Sequence, residues 1–158
     1  MKKIPFTKIK KSLILLLTIM AAAMCFGQNQ FDRAEFLKSV APGQKKGEAV
    51  KGTLNFDTNR KAIVFLDKHG AESLDIKYDS VKNLLYERTA KPRYTEGLLI
   101  AWPLMFTKSK KHYLTLQYEE PAGTGHYAIV HLDKSNYQEI LATIEAQTGK
   151  RVERTEEH

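Results

Sequence analysis

Apolar and polar positions alternate with a period of two through the middle of the chain, as they do in strands with one face buried. Val50, Gly52, Leu54 and Phe56 stand against Lys51, Thr53 and Asn55, and Asp57-Thr-Asn-Arg60 follows as turn chemistry. Lys61 to Leu66 predicts a second strand, apolar on both faces, ended by the turn Asp67-Lys-His-Gly70. Leu74, Ile76 and Tyr78 alternate with Asp75 and Lys77 in a third; Asp79-Ser80 breaks it, and Val81 to Arg88 makes a fourth with Leu84 and Tyr86 inward. Tyr113 to Glu119 carries Leu114, Leu116 and Tyr118 on one face and pairs with His126 to Leu132 across the turn Glu120-Pro-Ala-Gly-Thr-Gly125, a hairpin with a long tip. Short β-rich runs spaced by roughly 8 to 12 residues point to an antiparallel sandwich or small barrel. The connections are too short to hold the crossover helices that parallel βαβ units need.

The period changes near the C-terminus. Tyr137, Ile140, Leu141 and Ile144 fall on one face of a helix, with Gln138, Glu139 and Glu145 turned to water. Ser135 and Gln138 fit a capping box at its start, and Gly149 followed by Lys150 and Arg151 closes it. Residues 151–158 read as a charged, disordered tail. Phe31, Ala34, Phe36, Leu37 and Val40 are loosely helical and Ala41-Pro-Gly-Gln ends the pattern, so the N-terminal segment 28–46 is expected to hold a short amphipathic helix lying on the domain or to be a frayed leader. The run Gly97 to Phe106 is almost unbroken in hydrophobicity, holds Trp102, the one tryptophan, and ends beside Lys108, Lys110, Lys111 and His112. It fits a core strand, a short helix or an exposed loop; Pro103 opposes a long regular helix.

Composition and charge change meaning once the first residues are considered. A start rich in lysine, an apolar run from Leu13 to Ala23 and small residues before Gln28 form a bacterial secretory signal peptide, here expected as a helix over 1–27. The run falls short of the roughly 20 apolar residues of a membrane crossing. Cys25 and Gly27 favour cleavage between Gly27 and Gln28, with a cut after Ala23 as second choice. A lipoprotein would place a small residue before its lipidated cysteine; Met24 stands before Cys25, which argues against lipidation. Cleavage removes Lys2, Lys3, Lys8, Lys10 and Lys11 and no acid, so the formal charge falls from +7 to +2. Global basicity then gives a nucleic-acid partner no support. The product is expected to be secreted or periplasmic, without cysteine and held together by packing alone.

Six or seven antiparallel strands followed by a C-terminal amphipathic helix resemble a pleckstrin-homology-like (PH-like) barrel of the bacterial PH or GRAM type. Lys51-Gly-Thr-Leu-Asn-Phe, Leu74-Asp-Ile-Lys-Tyr-Asp-Ser-Val, Lys111-His-Tyr-Leu-Thr-Leu and Asn136-Tyr-Gln-Glu-Ile-Leu-Ala-Thr-Ile-Glu-Ala-Gln-Thr-Gly-Lys carry the resemblance. The same segments are similar to a group of uncharacterised secreted bacterial proteins. The resemblance implies a mainly β (α+β) domain over 47–150, a barrel whose helix plugs one end while loops at the other meet lipid headgroups, peptides or no known ligand. It stops at the scaffold, because one fold serves many functions.

Site chemistry is sparse. The apolar run beside cations makes Arg93, Trp102, Lys108, Lys110 and Lys111 the candidate contact with an anionic membrane surface or an envelope protein. Core packing of the run, and a solvated basic turn, are the competing readings. His112, His126 and His131 lie in or beside the last two strands, where hairpin pairing brings at most two together, too few for a metal. Gly-x-Ser-x-Gly, His-Glu-x-x-His and Gly-Lys-Ser phosphate loops are missing, so neither catalysis nor a cofactor is expected. The expected function is an exported, non-catalytic binding module acting through the 93–112 region. A structural or stress-related envelope protein without a small-molecule ligand is second, and an enzyme third.

Overall fold

The computed structural model describes residues 29–37, 49–89 and 110–156. In chain order these form β1 (Gln30–Leu37), β2 (Ala49–Asp57), β3 (Ala62–Asp67), β4 (Glu72–Lys77), a 3-10 turn (Tyr78–Ser80), β5 (Val81–Thr89), β6 (Lys111–Glu119), β7 (Gly125–Leu132), α1 (Tyr137–Thr148) and β8 (Val152–Glu156). The strands make one eight-stranded sheet in the order β4-β3-β2-β1-β7-β6-β5-β8. Two antiparallel meanders, β1 to β4 and β5 to β7, are joined by antiparallel pairing of β1 with β7. β8 is added parallel to β5.

The fold is therefore mainly β with one helix, as the alternation indicated, but the expected six- to seven-stranded antiparallel barrel needs correction. The sheet has eight strands, is mixed, and is not closed: β4 and β8 are its edges. It must nevertheless curl. Laid flat, β4 and β5 would be six strand spacings apart, about 29 Å, whereas the chain from Lys77 to Val81 spans at most roughly 15 Å. The curl wraps the apolar face around α1. Ile140, Leu141 and Ile144 are fully buried in one cluster with Leu54, Phe56, Ile63, Phe65, Leu84, Leu114 and Val130, so the helical stripe covers the sheet as expected.

Two segments read otherwise from the sequence are strands. Residues 30–37, expected as a short helix, form β1. A bulge between Phe31 and Ala34, with Arg33 at φ 62°, inserts one extra residue against β2. Phe31, Ala34 and Phe36 thereby reach the same buried face although the first two are three apart in sequence, and the bulge imitates a helical period. The tail expected to be disordered supplies β8, whose Val152 is buried and whose Val152 N–H donates to Glu145 Oε1 at 2.7 Å. A parallel ladder is made by main-chain groups, so five mostly polar residues suffice.

The ends of α1 divide similarly. Gly149, at φ 67°, donates its N–H to the Glu145 carbonyl at 2.9 Å, the expected left-handed C-cap. The capping box does not form. Asn136 is the N-cap and makes no side-chain cap, while Ser135 Oγ donates to Asp133 Oδ1 at 2.5 Å and Gln138 Nε2 to the Tyr137 hydroxyl at 3.1 Å. Asp133 organises this entry instead, its carbonyl accepting from the N–H groups of Asn136 and Tyr137. The signal-peptide helix and the run Gly97 to Phe106 lie outside the described residues.

Candidate functional site

Of the residues singled out for contact, Arg93, Trp102 and Lys108 lie outside the described residues. Lys110 and Lys111 lie at the start of β6, Lys110 exposed and Lys111 half-buried. The chain around them explains their setting. Lys111 pairs in register with Thr89, the last residue of β5, and His112 pairs with Arg88 on one side and Leu132 of β7 on the other. β7 runs straight into the Asp133–Asn136 turn and α1. The end of the sheet that carries the two lysines is thus also the end where the helix begins.

Three rings meet there. His112 stacks on Tyr137, the first residue of α1, with centroids 4.0 Å apart and planes 18° apart. Tyr86 of β5 lies parallel to Tyr137 at 5.6 Å and shares a hydrogen bond of 2.7 Å with His112 Nδ1. Burial pushes the His112 pKa below the usual histidine value; the positive charge of Arg88, His131 and Lys134 adds to this, and Asp133 opposes it. The imidazole is consequently neutral at pH 7 and behaves as a packed aromatic. Its setting also reports the local field: Arg88 and Lys134 are both exposed here, and Asp133 is already engaged by Ser135 and by Arg33 at 4.0 Å.

The opposite face of the same strands carries a second arrangement. Glu35 of β1, His131 of β7 and Tyr113 of β6 are cross-strand neighbours. Glu35 Oε2 lies 3.2 Å from His131 Nδ1, and Glu35 Oε1 lies 3.6 Å from Lys51 Nζ. The hydrogen bond with His131 holds the Glu35 carboxyl below the usual carboxylate range; burial works against this, and the charges of His131, Lys51 and Lys111 reinforce it. Leu37, Tyr113 and Ile129 form a small buried cluster beside this pair. Glu87 and Thr89 are each only 2% exposed. These strands are thus packed on both faces.

The three histidines do not converge. His112 and His131 are on opposite faces of the sheet, and His126 pairs with Tyr118 at the far end of the hairpin, 3.5 Å from Glu120. Among the described residues no group of three or more His, Cys, Asp or Glu side chains is placed to hold a metal. The sequence marked the lysines but missed Arg88, Lys134 and the Tyr86–His112–Tyr137 stack, because three separate elements build it. One signal was available: Tyr137 opens the helical stripe, which places it at the rim of whatever the helix covers.

The chain was compared with protein-family models and with curated proteins, and no match was found with either.

Proposed function

We propose that this chain is an exported, non-catalytic binding module on a PH-like scaffold, and that it meets an anionic lipid surface through the end of the sheet where β6 begins. The observation carrying this reading is the set of cations at this end of the sheet, Arg88 and Lys134 acting on the ring stack and Lys111 on the opposite face toward Glu35. Arg33, Arg88, Lys110, Lys111 and Lys134 come from β1, β5, β6 and the turn before α1, and the helix N-terminus adds its own positive field. Of the neighbouring acids, Asp133 is engaged by Ser135 and Arg33 and Glu35 by His131 and Lys51, while Glu139 in the first turn of α1 is exposed. Export is supported by the lysine-rich, apolar, small-residue order of 1–27. The PH-like scaffold is supported by the order of elements, two antiparallel meanders followed by a helix packed on the sheet, although β8 is an addition to that plan. Arg93, Trp102 and Lys108 join the same region in the chain, since their segment connects β5 to β6.

Vesicle flotation tests the proposal. A basic side chain near an anionic surface contributes about 1 kcal/mol, so removing three such charges costs about a hundredfold in affinity and reversing them costs more. The chain is expected to float with phosphatidylglycerol vesicles and not with phosphatidylcholine vesicles. Lys110→Glu, Lys111→Glu and Lys134→Glu together should abolish flotation, and Trp102 emission should change only on the anionic vesicles. Equal recovery with both lipids, or no recovery with either, refutes it. Co-purification of an envelope protein without lipid retention would favour the structural reading.

A further inference from the structure

Among the described residues β4 is an edge of the sheet, with no strand paired on its outer side. A cleft of about 490 Å³ is lined by Asp75, Ile76 and Lys77 of this strand, by Asp79 and Ser80 of the 3-10 turn, and across from them by Tyr118 to Pro121 at the end of β6. Asp75, Ile76 and Lys77 are the last three residues of β4, and with the turn that follows they border the cleft together, so it meets the C-terminal end of the strand's edge. The cleft opens beside the turn from β4 to β5, across from the end of β6.

Charge says what fits there. The lining holds four carboxylates, Asp75, Asp79, Glu119 and Glu120, against the single cation Lys77. Asp75 is engaged by Arg60 and by Lys77 at 3.7 Å, and Glu119 by Lys82 at 2.7 Å. Asp79 and Glu120 are exposed, Glu120 having only the His126 ring at 3.5 Å. Tyr118 and Pro121 add apolar surface on the far wall. A second copy of this chain is a poor occupant, because pairing β4 with β4 at this end brings two linings of net negative charge together, and like charges across an edge oppose pairing.

We propose that the β4 edge accepts an extended peptide strand bearing lysine or arginine, which continues the sheet through main-chain hydrogen bonds while Asp79 and Glu120 select its basic side chains. This partner and this face are separate from the lipid contact, so either proposal can fail alone. The test uses the full chain, isotope-labelled, with the blocked hexapeptide acetyl-Lys-Val-Lys-Val-Lys-Val-amide and its counterpart with Glu in place of Lys. The basic peptide is expected to slow hydrogen exchange at amides within Glu72–Lys77 at least tenfold, and the acidic peptide to leave them unchanged. Asp79→Lys with Glu120→Lys should weaken the basic peptide at least tenfold with an unchanged melting curve. Binding without protection of β4, no binding, equal binding of both peptides, or undiminished binding to the double variant overturns the proposal.

Discussion

Replacing Glu35 by Gln tests the electrostatic account of the β1–β7 seam. The side chain is 17% exposed, and its carboxylate meets His131 at 3.2 Å and Lys51 at 3.6 Å. Lys51 is 73% exposed, so its share is screened and is worth no more than about 0.5 kcal/mol. The partly buried hydrogen bond with His131 is the larger contribution. Bonds to charged groups are worth roughly 1.5–3 kcal/mol, and the burial that opposes ionisation of Glu35 brings the expected loss at pH 7 to about 1–2 kcal/mol. The folded state holds the Glu35 pKa below the ordinary 4.5. Its contribution is therefore complete above that value and disappears as pH falls through the depressed folded pKa. Urea denaturation at pH 7 and at successively lower pH, compared between wild type and Glu35→Gln, should show two curves that converge in acid. A Lys51→Gln cycle should give a coupling below about 0.5 kcal/mol. A difference that stays constant from pH 7 to pH 3 would refute the reasoning, since a carboxylate that has taken up its proton no longer differs in charge from the amide.

Two further predictions concern the core. Ile144→Ala empties a fully buried site between α1 and the sheet and should cost about 3–4 kcal/mol, seen as a fall in melting temperature of roughly 10–15 °C. Tyr78 is 8% exposed, its hydroxyl is buried with no hydrogen-bond partner among the described residues, and burial, helped by Asp57, raises its pKa to about 12. Stability that is present below pH 10 should therefore decline as pH rises toward 12, whereas Tyr78→Phe should show a smaller decline, since Tyr113 and Tyr118 are also raised, and be neutral or up to about 1 kcal/mol more stable at pH 7. Denaturant midpoints at pH 7 and pH 11 check both statements.

β2 to β7 were legible because their apolar residues alternate, or in β3 run together, in short β-rich stretches, with Asp, Asn or Gly turns between most of them. β1 was not, because the extra residue at Arg33 changes the spacing of Phe31 and Ala34 from two to three without changing the face they occupy. Periodicity measures sequence distance, and a bulge separates that distance from geometry. β8 was invisible for a different reason. Leu84 to Arg88 pair with Val152 to Glu156 through main-chain groups, and only Val152 marks this in its side chain. At the candidate site, Lys110 and Lys111 could be found as a charge run, but Arg88, Lys134 and the three rings depend on which strands become neighbours. That is set by the β1–β7 pairing between residues about a hundred positions apart.

The helix relates the two proposed contacts. Its twelve residues span about 18 Å, from Tyr137 in the ring stack to Thr148, which lines a cleft shared with Lys77 and Asp79. Its C-terminal end faces Arg60, Lys61 and Lys77 as well as Asp79, and Glu139 lies in its first turn, so side chains of opposite sign meet the dipole at both ends. The separation exceeds the screening length of about 8 Å at physiological salt, and Ile140, Leu141 and Ile144 anchor the helix between the ends without exposure. Charge on one end is thus a weak influence on the other. Vesicle affinity should stay within about twofold when the hexapeptide is bound, whereas a tenfold change in either direction would mean that α1 shifts in its seat and transmits binding from one end to the other.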